Sequence, residues 1–230
     1  MKVGTDAVLL GAWVNIKGVK RILDVGTGCG IIALMLAQRT EEDVNIEGIE
    51  IEEQDAKQAD ENLLETRWCN RVLFHNYSLQ NFRSEYKYDL IVSNPPYFNN
   101  SQLPPAKHRA KARHTDSLSY QELLHHSILF LKTKGRLAVI LPFEEGKLFV
   151  SLAKEVGLHL NRQLSFYSRK EKPQERWLFE FSFHKKELVR ENTNQGDRKE
   201  IKQEVLVLHG EGESWSEDYK KLTREFYLKL

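Results

Sequence analysis

The chain is expected to form an α/β, doubly wound, mostly parallel seven-stranded sheet with helices on both faces and an antiparallel C-terminal strand pair. Three observations predict this. Short apolar runs alternate with helix-forming segments from Arg21 to Leu141, the pattern of β-α units wound onto one sheet. A glycine-rich turn, Asp24-Val25-Gly26-Thr27-Gly28-Cys29-Gly30, follows the first run and opens a helix. Residues 160–168 and 176–183 then read as two strands with no helix between them, hence an antiparallel pair.

Element by element, Thr5-Asp6 ahead of an apolar run reads as a capped helix start. Residues 21–25 form the first strand and 31–38 an apolar helix. Residues 44–51 are the second strand and 54–65 a helix. Residues 72–75 and 88–93 are the third and fourth strands, 120–131 a helix, 136–141 the fifth strand and 147–156 a further helix. The charged stretch 191–202 reads as a solvated loop or hairpin tip, and 219–228 as a short closing helix. All of residues 1–230 are expected to form one domain, with strand order 3-2-1-4-5 in its parallel part.

Composition bounds the function. With 40% hydrophobic and 29% charged residues the chain suits a globular core, and a net charge of +1 requires any nucleic-acid surface to be local. Cys29 and Cys69 make neither a disulfide framework nor a metal-ligand pattern, and His108, His114, His125 and His126 form no ligand set, so no metal is expected. No apolar stretch approaches the roughly 18 residues of a membrane span and no signal peptide opens the chain, so a cytoplasmic location is expected.

The chemistry is carried by Asn94-Pro95-Pro96-Tyr97, at the end of Leu90-Ile91-Val92. Two prolines cannot continue a sheet ladder, so the strand stops and becomes a stiff loop. That loop gathers an amide oxygen, the Pro95 carbonyl and an aromatic ring, which suit a planar group bearing an NH2, such as adenine.

The glycine turn lacks the dinucleotide spacing, which would need glycine where Ile31 stands. Its D-x-G-x-G-x-G pattern resembles the first motif of Rossmann-like S-adenosylmethionine methyltransferases, a ligand without pyrophosphate. Glu50, at the end of the second strand, is placed to accept from both ribose hydroxyls, with Glu47 and Glu52 as competitors within a small register error. Asp24 either binds through the turn's network or satisfies backbone amides. In the expected strand order the first and fourth strands are neighbours, so a cofactor on Gly26, Thr27, Gly28 and Gly30 brings its methyl beside an NH2 held by Asn94.

That pairing resembles the N6-adenine class of methyltransferases, in which the tetrapeptide also serves amide-nitrogen and some guanine-amine enzymes. Lys2-Val3-Gly4-Thr5-Asp6-Ala7-Val8-Leu9-Leu10-Gly11-Ala12-Trp13, Asn94-Pro95-Pro96-Tyr97-Phe98, Ala112-Arg113-His114 and Ile140-Leu141-Pro142 resemble the bacterial family that methylates adenine 37 of valine tRNA, over essentially the whole chain. The resemblance implies that Gly4, Thr5 and Asp6 lie near the cofactor's amino-acid end, against a reading of helix capping. It implies that Asn94 also borders the cofactor. It implies too a short segment ahead of the opening motif, so that Met1 is internal and the chain truncated. Where relatives often place an aspartate for the cofactor's adenine, this chain has Tyr77-Ser78-Leu79-Gln80, leaving Ser78 for that contact.

In this reading the Asn94 oxygen and the Pro95 carbonyl accept the N6 hydrogens, Pro96 stiffens the loop and Tyr97 stacks on the base, with no strong general base needed. Lys107, Arg109, Lys111, Arg113 and His114, directly downstream, are read as the RNA grip, against the alternative of a solvated face. Arg162, Arg169, Lys170, Lys172 and Arg176 extend the track, diluted by Glu171 and Glu175, while Trp13, Trp68, Trp177 and Trp215 are read as packing residues. The expected partner is tRNA, with no membrane and no obligate protein partner. Rival readings are an N5-glutamine protein methyltransferase, an N6-adenine enzyme acting on rRNA or DNA, and an RNA-binding module with a vestigial cofactor fold.

Overall fold

The computed structural model describes residues 4–97, 118–183 and 200–227. Its strands are β1 (Arg21–Val25), β2 (Asn45–Glu50), β3 (Val72–Asn76), β4 (Tyr88–Ser93), β5 (Leu131–Pro142), β6 (Leu158–Tyr167), β7 (Arg176–Phe183) and β8 (Lys202–Val207). They form one sheet in the order β3-β2-β1-β4-β5-β7-β6-β8. The first five run parallel, β7 lies antiparallel between β5 and β6, and β8 pairs parallel with β6. The helices are α1 (Thr5–Trp13), α2 (Ile31–Arg39), α3 (Glu53–Leu64), α4 (Tyr120–Phe130), α5 (Phe143–Glu155) and α6 (Glu217–Thr223).

Both sheet faces are covered because the buried strands are apolar on both sides. Ile22, Leu90 and Val92 point into a core built with α1, α2 and α3, through Leu9, Leu36 and Leu63. Leu23, Val25 and Ile91 point the other way, against Leu123 and Leu124 of α4 and Phe149 of α5. No helix among the described residues is long and apolar enough to cross a membrane.

Three expectations need correction. The sheet has eight described strands where seven were expected. The extra one, β8, opens with Lys-Gln-Glu and buries only Leu206, with Val205 66% exposed, so it lacks the alternation that marks a half-buried strand. β5 starts at Leu131, where the sequence reading continued the helix and began the strand at Arg136. Leu131 pairs with Tyr88, and the register then shifts before Leu90 meets Arg136. Finally, α1 is capped by Gly4 without a side-chain bond, so Thr5 and Asp6 are its first helical residues and not its caps.

Candidate active site

Two loops leave neighbouring strands at the same height. Val25 of β1 is in register with Ser93 of β4, and the Ser93 hydroxyl donates to the Val25 carbonyl at 2.8 Å. The glycine turn and the tetrapeptide therefore begin side by side at the carboxyl ends of the strands. Here β2 and β4 flank β1, the point at which such folds bind ligands.

The turn is shaped by backbone that only glycine adopts without strain. Gly26, Gly28 and Gly30 have φ of 70°, 55° and 83°. The Gly26 and Thr27 amides donate to the Ile49 carbonyl at 2.9 and 3.0 Å, which ties the turn to β2. Glu50, the last residue of β2 and 9% exposed, accepts from the Gly28 amide at 2.8 Å through Oε2. Its Oε1 accepts from the amides of Ile51 at 2.8 Å and Glu52 at 3.0 Å. Three amides hold the carboxylate still and leave it about one of its roughly four acceptor positions for a hydroxyl.

Beneath the turn Asp24 is fully buried. Its Oδ2 accepts from the Thr27 hydroxyl at 2.6 Å, while Oδ1 has no partner among the described residues. Burial pushes this carboxyl up to about 7, only partly offset by the Thr27 bond.

A cavity of ≈ 670 Å³ opens over these elements. That volume suits a nucleoside-sized ligand. It is lined by Gly4 and Ala7 of the α1 entrance, by Gly26, Thr27 and Gly28, by Glu50, by Ser78, and by Asn94, Pro95 and Pro96. Apolar walls come from Ile51, Tyr77 and Leu79, which sequence reasoning did not assign; only their place after the ends of β2 and β3 could have signalled them. The set fits S-adenosylmethionine: a fixed carboxylate for a ribose hydroxyl, and flat apolar walls for a base. Thr5, Asp6, Asp24, Gly30 and Tyr97 stand back from the wall. Gly30 packs instead: a Cβ there would lie 2.7 Å from the Phe74 ring.

At the tetrapeptide, Pro95 is buried and Asn94 partly so. The Tyr97 hydroxyl lies 2.7 Å from Asp6 Oδ2 and 2.8 Å from Asn94 Oδ1. Arg176 Nε donates to the same Asp6 oxygen at 2.9 Å, and its guanidinium carbon is 5.4 Å from the Tyr97 ring centroid. Burial and the Asp6 carboxylate raise the Tyr97 hydroxyl well above the ordinary phenol range, so it stays protonated.

The structure reassigns part of the basic track. Arg176 pairs with Asp6 at the site, Arg162 pairs with Glu204 at 2.9 Å while its guanidinium carbon lies 4.1 Å from the Trp13 ring centroid, and Arg169 pairs with Glu213. Lys170 and Lys172 are exposed in the turn after β6. Lys107, Arg109, Lys111, Arg113 and His114 lie outside the described residues. The four tryptophans pack: Trp13 is buried, Trp68 lies against the α3 core, Trp177 stacks between Phe143 and Phe179, and Trp215 contacts Tyr219.

Known proteins agree with this geometry. Residues 3–156 match the family model of the methyltransferase small domain. The chain is 41% identical over 230 residues to a tRNA1(Val) (adenine(37)-N6)-methyltransferase of Bacteroides thetaiotaomicron, covering 100% of this chain and 92% of the relative. It is 38% identical to the protein of that name from Escherichia coli O157:H7, covering 99% and 89%. Among solved structures it is similar to a predicted O-methyltransferase from Agrobacterium tumefaciens, with a TM-score of 0.69 at 15% identity and 96% of each chain covered. A Brevibacillus brevis O-methyltransferase in complex with S-adenosyl-L-homocysteine gives a TM-score of 0.55 at 13% identity, covering 77% of this chain and 71% of that one. The structural likenesses show the fold; the identity across the full length shows that the chain belongs to the tRNA1(Val) (adenine(37)-N6)-methyltransferase family.

Proposed function

We propose that this protein transfers a methyl group from S-adenosylmethionine to the exocyclic N6 of adenine 37 in the anticodon loop of valine tRNA, working in the cytoplasm without an obligate protein partner. The observation that carries the reading is the register of Val25 with Ser93, because it sets the cofactor turn and the Asn94-Pro95 acceptors over one cavity. An anticodon-loop base is already unpaired, so bringing it into the cavity costs less than extracting one from a duplex.

When bound, S-adenosylmethionine supplies an electrophilic methyl and leaves as the thioether. The chain's part is positioning. Glu50 holds a ribose hydroxyl, and Gly26, Thr27 and Gly28 let the backbone approach closely. Asn94 and the Pro95 carbonyl accept the two N6 hydrogens, which turns the nitrogen lone pair out of the ring and toward the methyl. These fixed acceptor dipoles also face the positive charge that develops on nitrogen. The alkylated nitrogen then sheds its proton to water, so no strong base is required.

The test incubates the protein with methyl-labelled cofactor and total RNA from a strain lacking the activity, then maps the modified base. Label at adenine 37 of valine tRNA is expected, and label confined to protein would overturn the RNA reading. Asn94→Ala should lower kcat on the order of a hundredfold while the cofactor Kd, by calorimetry, moves less than about twofold. Near-normal turnover in that variant would remove Asn94 from the chemistry.

A further inference from the structure

An amide is useful to an incoming NH2 group only if it presents oxygen; presenting its own NH2 would set donor against donor. Asn94 has both ends, and its Oδ1 lies 2.8 Å from the Tyr97 hydroxyl, while a half-turn of the amide would put the NH2 there instead. Asn94 borders the cavity and Tyr97 does not, so the branch away from Tyr97 is the one available to a substrate. Which atom that branch carries is a matter of counting protons. A phenol has one to give. Two acceptors compete for it here, Asp6 Oδ2 at 2.7 Å and the Asn94 amide. A carboxylate is the stronger acceptor.

We propose that Asp6 accepts the Tyr97 hydroxyl's one hydrogen bond and thereby fixes the donor–acceptor polarity of Asn94, making Asp6 and Tyr97 positioning residues for methyl transfer. With its proton committed to Asp6, the Tyr97 oxygen can only accept. The Asn94 amide then turns its NH2 to Tyr97 and its oxygen to the cavity. Arg176 completes the relay, since its Nε bond at 2.9 Å falls on the same Asp6 oxygen and keeps that oxygen facing Tyr97. Without Asp6 the phenol gives its proton to the Asn94 oxygen, and the amide shows its NH2 to the substrate amine. The relay spans α1, β7 and the tetrapeptide, and a role for Asp6 at the start of α1 alone would not reach Asn94.

The inference rests on the N6-adenine reading, and its test has one arm free of that reading. In 15N-labelled protein the side-chain NH2 pair of Asn94 is assigned by its loss in Asn94→Asp. The pair should move in Tyr97→Phe and in Asp6→Ala, and move part of the way in Asp6→Asn, whose amide oxygen competes with that of Asn94 on equal terms. An unmoved pair in all three variants overturns the relay, whether or not the protein methylates RNA.

The second arm measures turnover. Asp6→Ala should cut kcat about tenfold to a hundredfold, the cost of an opposed buried polar pair, with KM for cofactor little changed. Asp6→Asn should recover only part of that loss, because its amide oxygen equals that of Asn94 as an acceptor. Adding Tyr97→Phe to Asp6→Ala removes the misdirected proton and should raise kcat above that of Asp6→Ala alone. Additive losses in the double variant, or loss of cofactor binding in Asp6→Ala, overturn the proposal. Absence of transfer by the wild-type protein overturns the function and leaves the relay to the spectroscopic arm.

Discussion

Asp24 is an acid held where a charge is costly. In the unfolded chain it titrates near 3.8, whereas burial in the fold moves it up to about 7. Between those values the native state keeps a proton that the unfolded chain releases. Stability from this residue is therefore greatest below about pH 4, falls as pH rises, and levels off above about 7, a change on the order of a few kcal/mol. Asp24→Asn keeps the shape without the ionisation, so its melting temperature relative to wild type should climb across that window. Parallel melting curves for the two proteins against pH would show that Asp24 is not strained by burial. The residues of this turn were legible because a strand-to-helix turn encodes its own geometry in adjacent glycines and an acid at the next strand end. The Asp6–Arg176 pair was not legible. Its partners are separated by most of the chain, and Arg176 looks like any other cation of the segment after β6.

Elements are seated on one another by contacts that no local pattern reveals. The aromatic ring of Phe74 in β3 fills the space over two glycines, Gly30 in the cofactor turn and Gly48 in β2. A Cβ at Gly48 would meet that ring at 2.6 and 2.8 Å and the Thr27 hydroxyl at 3.0 Å. Gly48→Ala cannot be absorbed by a flexible chain end, so overpacking should cost about 1–3 kcal/mol in denaturant unfolding. Because Thr27 belongs to the turn and Phe74 packs on it at Gly30, the same variant should weaken cofactor binding in calorimetry. Full stability together with full affinity in Gly48→Ala would show that the turn is not wedged by β3. The strands of the parallel half were readable from apolar runs alone, since burial on both faces demands them. β8 escaped because it sits at the sheet edge: its neighbour β6 supplies one ladder, Glu204 is spent on the Trp13 indole and on Arg162, and little apolar sequence is needed.

For the molecule as a whole, the strand order was legible because alternating strands and helices imply a doubly wound sheet, and its order makes the first and fourth strands, with their two reactive loops, neighbours. The RNA surface was less so, because a charge run does not disclose its partners. A net charge of +1 leaves no general field to draw in RNA, so the grip must be local. Three arginines that extended the track on paper, Arg162, Arg169 and Arg176, are each paired with a carboxylate in the fold. The burden thus shifts to Lys107, Arg109, Lys111 and Arg113, which follow the tetrapeptide in sequence with no acid among them. Replacing all four by alanine should raise KM for tRNA while leaving the cofactor Kd unchanged. If each neutralises one phosphate of the single-stranded loop, the slope of log affinity against log salt should flatten by about 3 units. A variant with reduced affinity but the wild-type salt slope would mean that these side chains shape the segment without touching the backbone of the RNA. A variant indistinguishable from wild type in both would move the RNA grip to another surface, with Lys170 and Lys172 the next to replace.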